Sequence, residues 1–239
     1  MSEITEEPRL HIRQLLSGRD FAVGDPVAQQ MVNFTYVIGD REKGEAVIVD
    51  PAYDPTGLVE LVESEGLKVV GALATHYHPD HVGGSMMGHT LNGIAQLNVP
   101  VHVHRDEAEF VARVTGVSAG DLVAHDSGDS VMVGDIPIEL LHTPGHTPGS
   151  MCFLVGGVLV SGDTLFLEGC GRTDFPGSDP AQMYDSLMRL ASLPDDTVVC
   201  AGHWYSQPRL APMSEVKEHN YVLSPSRSKE QWLMMFGGQ

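Results

Sequence analysis

Short apolar runs separated by turn residues dominate the first half of the chain. The turn at 39–44 separates two of these runs, and the run at 68–74 leads directly into a polar loop. Residues 1–30 are polar and rich in turn residues, and we expect a strand or a lead-in along a sheet edge. Helical spacing at 85–97 is weakened by Gly88 and Gly93. The patterns predict strands at 33–38, 45–50, 68–74 and 99–104, and helices at 55–65, 85–97 and 106–114.

The second half repeats this order of strands followed by helices. The helix predicted at 180–193 carries Met183, Leu187 and Leu190 on one stripe. Two halves of this kind predict a layered α/β fold. We find no repeat, linker or low-complexity segment, so we expect one domain over 1–239. The remaining predicted strands are 131–133, 136–141, 151–155, 158–160 and 197–200, and the last helix is 214–223.

The loop after the strand at 68–74 concentrates ligand chemistry. Residues 75–81 read Thr-His-Tyr-His-Pro-Asp-His, with three imidazoles and one carboxylate. These groups suit zinc and similar borderline metals. In an extended or turning segment His76, His78 and Asp80 can face one way and His81 another. One loop could therefore serve two metal ions.

This loop resembles the first signature of the metallo-β-lactamase superfamily, His-x-His-x-Asp-His at the end of a strand. Three further segments follow in the order of that family, and the resemblance spans about residues 30–222. They are Thr-Pro-Gly-His ending at His146, Ser-Gly-Asp ending at Asp163, and Ala-Gly-His ending at His203.

The resemblance implies an αβ/βα four-layer sandwich of two mixed β-sheets flanked by helices. It implies two divalent metal ions, which we expect to be zinc, with iron or manganese as alternatives. Asp163 would bridge the ions, and Asp80 would also orient the attacking water. The implied ligands are His76, His78 and His146 for one ion, and Asp80, His81 and His203 for the other.

Residues 169–175, Gly-Cys-Gly-Arg-Thr-Asp-Phe, resemble two thiol-handling branches of the superfamily, glyoxalase II and the persulfide dioxygenases. The resemblance implies that Arg172 binds a carboxylate of a small thiol conjugate; the alternative is an ion pair with Asp174 or Asp179. Tyr205 would offer a hydroxyl to the thiol, or else simply pack.

The sequence therefore predicts a metal-dependent hydrolase of thioesters of a low-molecular-weight thiol. The alternative is a mononuclear iron persulfide dioxygenase, which needs only some of these ligands. A silent binding protein is a third reading that the complete ligand set disfavours. The residues after His203 are too few for the helical C-terminal domain of full glyoxalase II, so the thiol could differ from glutathione.

Three further sets of residues each have two interpretations. Asp50 ends a strand before Pro51, and we read it either as an acceptor that holds the metal loop or a ligand histidine, or as a strand-terminating turn. His102 and His104 alternate along a strand and could form a metal pair or be ordinary strand residues, and we read them as the latter. Cys170 could be a nucleophile or a small loop residue, and it is read as the latter because it has no identifiable base beside it.

Composition and net charge argue against several classes of binding partner and location. A net charge of −18 disfavours nucleic acid, because it repels phosphate backbones. No apolar run is long enough for a membrane span, and an acidic start lacks a signal-peptide core. Three cysteines argue against a disulfide framework. We therefore expect a cytoplasmic enzyme acting on a small molecule, with a homo-oligomer possible.

Overall fold

Two six-stranded sheets form the centre of the fold. The computed structural model describes residues 8–223 and 227–237. The first sheet has the order β1-β2-β3-β4-β7-β8, and the second has the order β14-β13-β12-β11-β10-β9. The strands of the first sheet are β1 Leu10–Leu16, β2 Phe34–Asp40, β3 Glu45–Val49, β4 Lys68–Leu73, β7 Val101–His104 and β8 Leu122–His125. Those of the second are β9 Ser130–Val133, β10 Ile136–His142, β11 Met151–Val155, β12 Val158–Gly162, β13 Val198–Ala201 and β14 Ala211–Pro212.

Helices cover the outer faces of both sheets. A small hairpin beside the first sheet consists of β5 Gly84–Met86 and β6 His89–Leu91. The helices are α1 Pro26–Met31, α2 Pro55–Ser64, α3 Pro79–Val82, α4 Arg105–Thr115, α5 Pro180–Ala191, α6 Met213–His219 and α7 Lys229–Phe236, with a 3₁₀ turn at Ile94–Gln96. Within the described residues, no helix is both long and apolar enough to cross a membrane.

Alternating strand residues build the core between the sheets. Phe34, Tyr36 and Ile38 of β2 point inward and meet Leu140 and Phe153 of the second sheet. Period-2 alternation places such residues on one face of each sheet, where burial is favourable. This apolar cluster joins the two middle layers.

The outer layers pack through helical stripes. Leu58 and Val62 of α2 lie against the first sheet. Met183, Leu187 and Leu190 of α5 lie against the second, at the i, i+4, i+7 spacing of one helix face. The four-layer αβ/βα sandwich of two mixed sheets is therefore confirmed.

The predicted helix at 85–97 is wrong. Most of this segment is the hairpin β5–β6, in which Met86 pairs with His89 across a two-residue turn. Met87 and Gly88 at the turn have φ of 52° and 79°. Positive φ at both positions suits a type I′ hairpin turn and is incompatible with a right-handed helix. The structure also adds α1, β8 and α7, which the sequence pattern did not predict.

Strand ends from both sheets meet at one edge of the sandwich. The pair β3–β4 is parallel, as is the pair β12–β13, so their C-terminal ends lie together. Backbone bonds join the sheets there: Met151 N–H donates to Thr75 O at 2.8 Å, and Phe34 N–H donates to Gly202 O at 2.8 Å. This edge holds the loops with the predicted ligands.

Candidate metal centre

Three imidazoles from two loops form the first group of converging nitrogens. His76 and His78 follow β4, and His146 lies in the loop between β10 and β11. Nε2 of His76 and Nε2 of His146 each lie 3.0 Å from Nδ1 of His78. The three ligand atoms lie within 4.8 Å of one another. The structure thus brings together side chains that are up to 70 residues apart in the sequence.

A second group lies beside the first. Asp80 and His81 belong to α3, a single helical turn in the metal loop, and His203 follows β13. Nε2 of His81 lies 3.2 Å from Nε2 of His203, and Oδ2 of Asp80 lies 3.5 Å from Nε2 of His203. This group therefore offers two nitrogens and one carboxylate oxygen.

Asp163 lies between the two groups. Its Oδ2 is 3.7 Å from Nε2 of His146 and 3.3 Å from Nε2 of His203, and its Oδ1 is 3.4 Å from Nε2 of His81. Oδ1 is buried and has no hydrogen-bond partner. A buried acceptor without a donor is costly unless a cation satisfies it.

Hydrogen bonds to the ring nitrogens that point away from the group fix the tautomers of His76 and His146. Nδ1 of His146 lies 2.7 Å from Arg172 O, which can only accept. Nδ1 of His76 lies 2.9 Å from Thr75 Oγ1, whose own proton is donated to Asp50. Both Nδ1 atoms therefore carry the proton, and both Nε2 atoms present lone pairs toward His78.

Hydrogen bonds at Nδ1 also determine the tautomers of His81 and His203 in the second group. Nδ1 of His81 donates to Oδ2 of Asp50 at 2.8 Å, and Nδ1 of His203 donates to Met31 O at 2.8 Å. In the neutral rings that metal binding requires, the Nε2 atoms carry the lone pairs, and these two atoms lie 3.2 Å apart. Asp50 also accepts from Thr75 N at 2.8 Å and from Thr75 Oγ1 at 2.6 Å. Asp50 thus joins Thr75 of the loop to His81 through hydrogen bonds, and its role toward a metal stays a prediction.

The donor set fits two divalent ions. Ligands at about 2.0–2.1 Å from one tetrahedral ion lie roughly 3.3 Å apart. The closest nitrogen pairs, at 3.0 Å and 3.2 Å, have nearly that spacing. Lone pairs that converge at such distances repel one another unless a cation lies between them.

The electrostatics of the two groups differ. Burial lowers the pKa of His76 and His146 and lowers that of His78 to about 4, so all three are neutral at pH 7. Burial also acts to lower the pKa of His81, but Asp163 and Asp80 outweigh it and raise that pKa to about 10. The carboxylates thus attract a positive charge to the second group.

Sequence reasoning missed several residues that support the ligands. Nδ2 of Asn33 donates to Oδ2 of Asp80 at 3.1 Å, and Tyr53 Oη donates to Oδ1 of Asn33 at 2.7 Å. Glu107 of α4 is fully buried, and its Oε1 accepts from Tyr77 N at 2.8 Å and from Thr147 Oγ1 at 2.7 Å. Glu107 therefore joins the two loops that supply the first group.

Close backbone approach explains one glycine of the last signature. A Cβ built on Gly202 would lie 2.4 Å from Oδ1 of Asp163. Any side chain there would displace the carboxylate from the space between the two groups. The Gly-His step therefore serves the position of Asp163 as well as that of His203.

A cleft of about 720 Å³ opens above both groups. Arg172 and Tyr205 line it, as the resemblance implies. The guanidinium of Arg172 pairs with Asp174, through Nε at 2.9 Å and Nη2 at 2.6 Å. Tyr205 stacks on His203 at 4.8 Å and remains 58% exposed. The carboxylate-binding role of Arg172 stays a prediction, as does the hydroxyl-donor role of Tyr205.

The residues that the sequence analysis left out of the ligand set make other contacts. His104 accepts from Asp106 N at the start of α4 and stacks on His142, and His102 contacts His125 at 2.9 Å. Cys170 lines the cleft, and burial raises the pKa of its thiol to about 12. A thiol that stays protonated is a poor nucleophile.

The sequence pattern of the metallo-beta-lactamase superfamily matches residues 29–203, which include both groups and Asp163. The chain belongs to this superfamily. Membership of this superfamily implies binding of divalent metal, and the converging imidazoles and carboxylates described above are groups that could hold it.

Named relatives fall in the two thiol-handling branches. A hydroxyacylglutathione hydrolase of Xanthomonas campestris is 38% identical over 188 residues, covering 79% of this chain and 68% of the relative. The human mitochondrial persulfide dioxygenase ETHE1 is 32% identical over 197 residues, covering 81% and 72%. The crystal structure of ETHE1 from Myxococcus xanthus superposes with a TM-score of 0.76 at 29% identity, covering 95% of this chain and 90% of that one.

Proposed function

We propose that this protein is a metal-dependent hydrolase of thioesters of a low-molecular-weight thiol. The observation that carries the proposal is the position of Asp163, whose two oxygens reach both groups of ligand atoms at the floor of an open cleft. Similarity to hydroxyacylglutathione hydrolases supports the choice of thioesters.

The residues that would hold the ions are the six of the two groups and the shared carboxylate Asp163. Zinc is our proposed metal, since imidazole and carboxylate ligands suit it. Two such ions would supply a water molecule of lowered pKa and a positive charge for the carbonyl oxygen of the substrate. The proposed ligands are His76, His78, His146, Asp80, His81, His203 and Asp163.

The chain itself orients the reacting groups. Asp80 is held by the amide of Asn33, which is in turn held by Tyr53. The bond from Asn33 involves Oδ2 of Asp80 and leaves its Oδ1 without a described hydrogen-bond partner. Oδ1 can therefore accept a hydrogen bond from a water molecule and orient it. Since Asn33 also forms a backbone bridge with His203, the position of Asp80 is tied to that of the opposite ligand.

Metal analysis together with a thioester assay tests the proposal. Protein purified without chelators should carry about two zinc ions per chain and hydrolyse a small-thiol thioester, releasing a free thiol that a chromogenic disulfide detects. Treatment with a chelator should abolish release, and zinc should restore it. A two-zinc protein that releases no thiol from any thioester tried would overturn the proposed activity.

A persulfide dioxygenase is the second candidate. The observation in its favour is the near full-length superposition on ETHE1, together with the segment 169–175. That chemistry needs one ferrous ion with open positions for oxygen and sulfur. About one iron per chain and oxygen uptake with a persulfide substrate would select this function over hydrolysis.

A further inference from the structure

Side chains on the His203 side of the cleft form an apolar wall. Tyr205 stacks on His203, and the ring of Phe166 packs edge-on against Tyr205 at 5.2 Å. Met31, whose carbonyl accepts from His203, lies in the same apolar cluster as Met86 of the hairpin β5–β6. All five residues line the cleft or hold its floor.

The rim of this wall is apolar and accessible. Met87 at the hairpin turn is 67% exposed, and Tyr221 is 57% exposed. Both line the cleft, as does the 58%-exposed Tyr205. Large apolar side chains gathered around a cavity mark a binding surface, because exposing them to water otherwise costs free energy.

The lining beside His78 is different. Phe175 packs against His78 at 5.3 Å, and the guanidinium of Arg172 lies 4.5 Å above the ring of Phe175. Arg172 is the one Lys or Arg among the described residues that line the cleft, and Asp174 already pairs with it. The lining also includes Glu168, so the cleft offers little positive charge outside a metal centre.

We propose that the substrate carries an apolar group of at least several carbons next to the reacting bond, and that the wall of Met31, Met86, Met87, Phe166, Tyr205 and Tyr221 binds it. The cleft of about 720 Å³ has room for such a group beside a small thiol. That the reacting bond is a thioester rests on the proposed function. That the substrate carries an apolar group rests on the residues of the wall alone.

A matched substrate series tests the wall. Acetyl, butanoyl, hexanoyl and octanoyl thioesters of N-acetylcysteamine share one neutral thiol and differ only in apolar length. With zinc-loaded protein, kcat/KM should rise roughly two- to fourfold for each added methylene until the cleft is filled. The hexanoyl ester should also exceed a 2-hydroxyacyl thioester of glutathione. A flat series, or a preference for the polar glutathione ester, contradicts the proposal.

A pair of variants tests whether Met87 contributes to the preference for long apolar groups. Met87→Asn removes an apolar side chain from the rim and suits the positive φ of that turn position. It should lower kcat/KM for the octanoyl ester at least threefold more than for the acetyl ester. Met132→Asn is the control, because Met132 is 55% exposed on β9, outside the cleft lining. Equal chain-length slopes in wild type and Met87→Asn remove Met87 from the wall.

A binding measurement separates this proposal from the proposed function. N-acetyl-S-octylcysteamine is a thioether that cannot be hydrolysed, and calorimetry should show tighter binding than for its S-ethyl analogue, by at least tenfold. The difference should shrink in Met87→Asn and persist in Met132→Asn. If no thioester is hydrolysed but this length dependence is seen, the hydrolase proposal fails and the wall stands. Equal affinities for the two thioethers overturn the wall.

Discussion

The backbone N–H of Tyr77 donates to Oε1 of Glu107 at 2.8 Å. The other oxygen of the same carboxylate accepts from Gly149 N at 2.8 Å. Tyr77 lies between His76 and His78, and Gly149 lies three residues after His146. One buried side chain on α4 therefore sets the distance between the loops of the first group.

The free energy of unfolding should change with pH because Glu107 titrates differently in the folded and unfolded states. Burial raises its pKa from 4.5 to about 7 in the folded protein. The folded state therefore binds the proton more tightly, and the stabilisation from this group is complete below about pH 4.5 and lost as pH rises through 7. The loss should be about 3 kcal/mol. Urea unfolding of the chelator-treated protein between pH 4.5 and 8 measures this slope.

Glu107→Gln is the matching variant. Its amide cannot titrate, so the slope between pH 4.5 and 7 should be smaller than in wild type by about that amount. The amide nitrogen would also face a backbone N–H, which lowers stability by roughly 1–3 kcal/mol at low pH. Identical slopes in the two proteins would show that Glu107 does not titrate in this range.

Asp50 should control metal affinity without touching the metal. Its carboxylate accepts from Thr75 and from His81 at once. Asp50→Asn replaces one acceptor with a donor, which breaks at least one of these bonds. We expect a roughly ten- to hundredfold weaker zinc affinity, measured by competition with a chromophoric chelator.

Asp54→Asn provides the control for Asp50. Asp54 caps α2 by accepting from Gly57 N at 3.0 Å, and asparagine caps helices equally well. Its zinc affinity should match that of wild type. An unchanged affinity in Asp50→Asn as well would mean that the orientation of His81 does not depend on Asp50.

The sequence predicted the ligand loops well because their chemistry is local. His76, His78, Asp80 and His81 fall within six residues, and the remaining motifs each hold a ligand at a strand end. The local pattern identified only the loop at 75–81; the expected positions of His146, Asp163 and His203 came from the resemblance to the superfamily, since each lies in its own segment far along the chain. The ligand roles, the single-domain assignment and the cytoplasmic location stay predictions.

Glu107 was missed because its partners are distant in the chain. A signal existed: Glu107 lies four residues before the buried Val111 on α4, so a carboxylate occupies the apolar stripe of an amphipathic helix. Such a residue needs buried donors. The donors are backbone N–H groups of other loops, 30 and 42 residues away, which no local pattern reveals.

The helix predicted at 85–97 failed for a different reason. Apolar residues at helical spacing outweighed the two glycines in that interpretation. In the structure, the Met87–Gly88 turn folds the segment back on itself, and Leu91 is buried against the cluster under the first sheet. Turn chemistry and tertiary packing together override weak periodicity.

Asp163→Ala should remove both metal ions. Within residues 8–223 and 227–237, this carboxylate is the one with an oxygen near imidazole nitrogens of both groups, and its loss also removes a buried negative charge. Elemental analysis should give less than about half an ion per chain, and activity should fall to background. Asp196→Ala, on an exposed turn, is the control and should keep the wild-type metal content. Full metal content in Asp163→Ala contradicts a bridging role.

Asp80→Asn should damage turnover more than substrate binding. Asp80 contributes a carboxylate to the second group, and its partner Asn33 fixes its orientation. We expect kcat to fall by a factor on the order of one hundred or more, with a smaller change in KM. Steady-state kinetics at saturating zinc measures both parameters. A change confined to KM would assign Asp80 to substrate binding.

Variants of Arg172 and Asp174 test whether the part of the cleft beside His78 recognises charge. Arg172→Ala should lower kcat/KM about ten- to hundredfold for a thioester whose thiol carries carboxylates, because a charge-assisted pair is lost. A neutral thioester of similar size should be unaffected. Because Asp174 already occupies the guanidinium, Asp174→Ala should free it and raise kcat/KM for the carboxylate-bearing ester alone. Equal losses on both esters in Arg172→Ala would show that Arg172 shapes the loop around Phe175 and does not read charge.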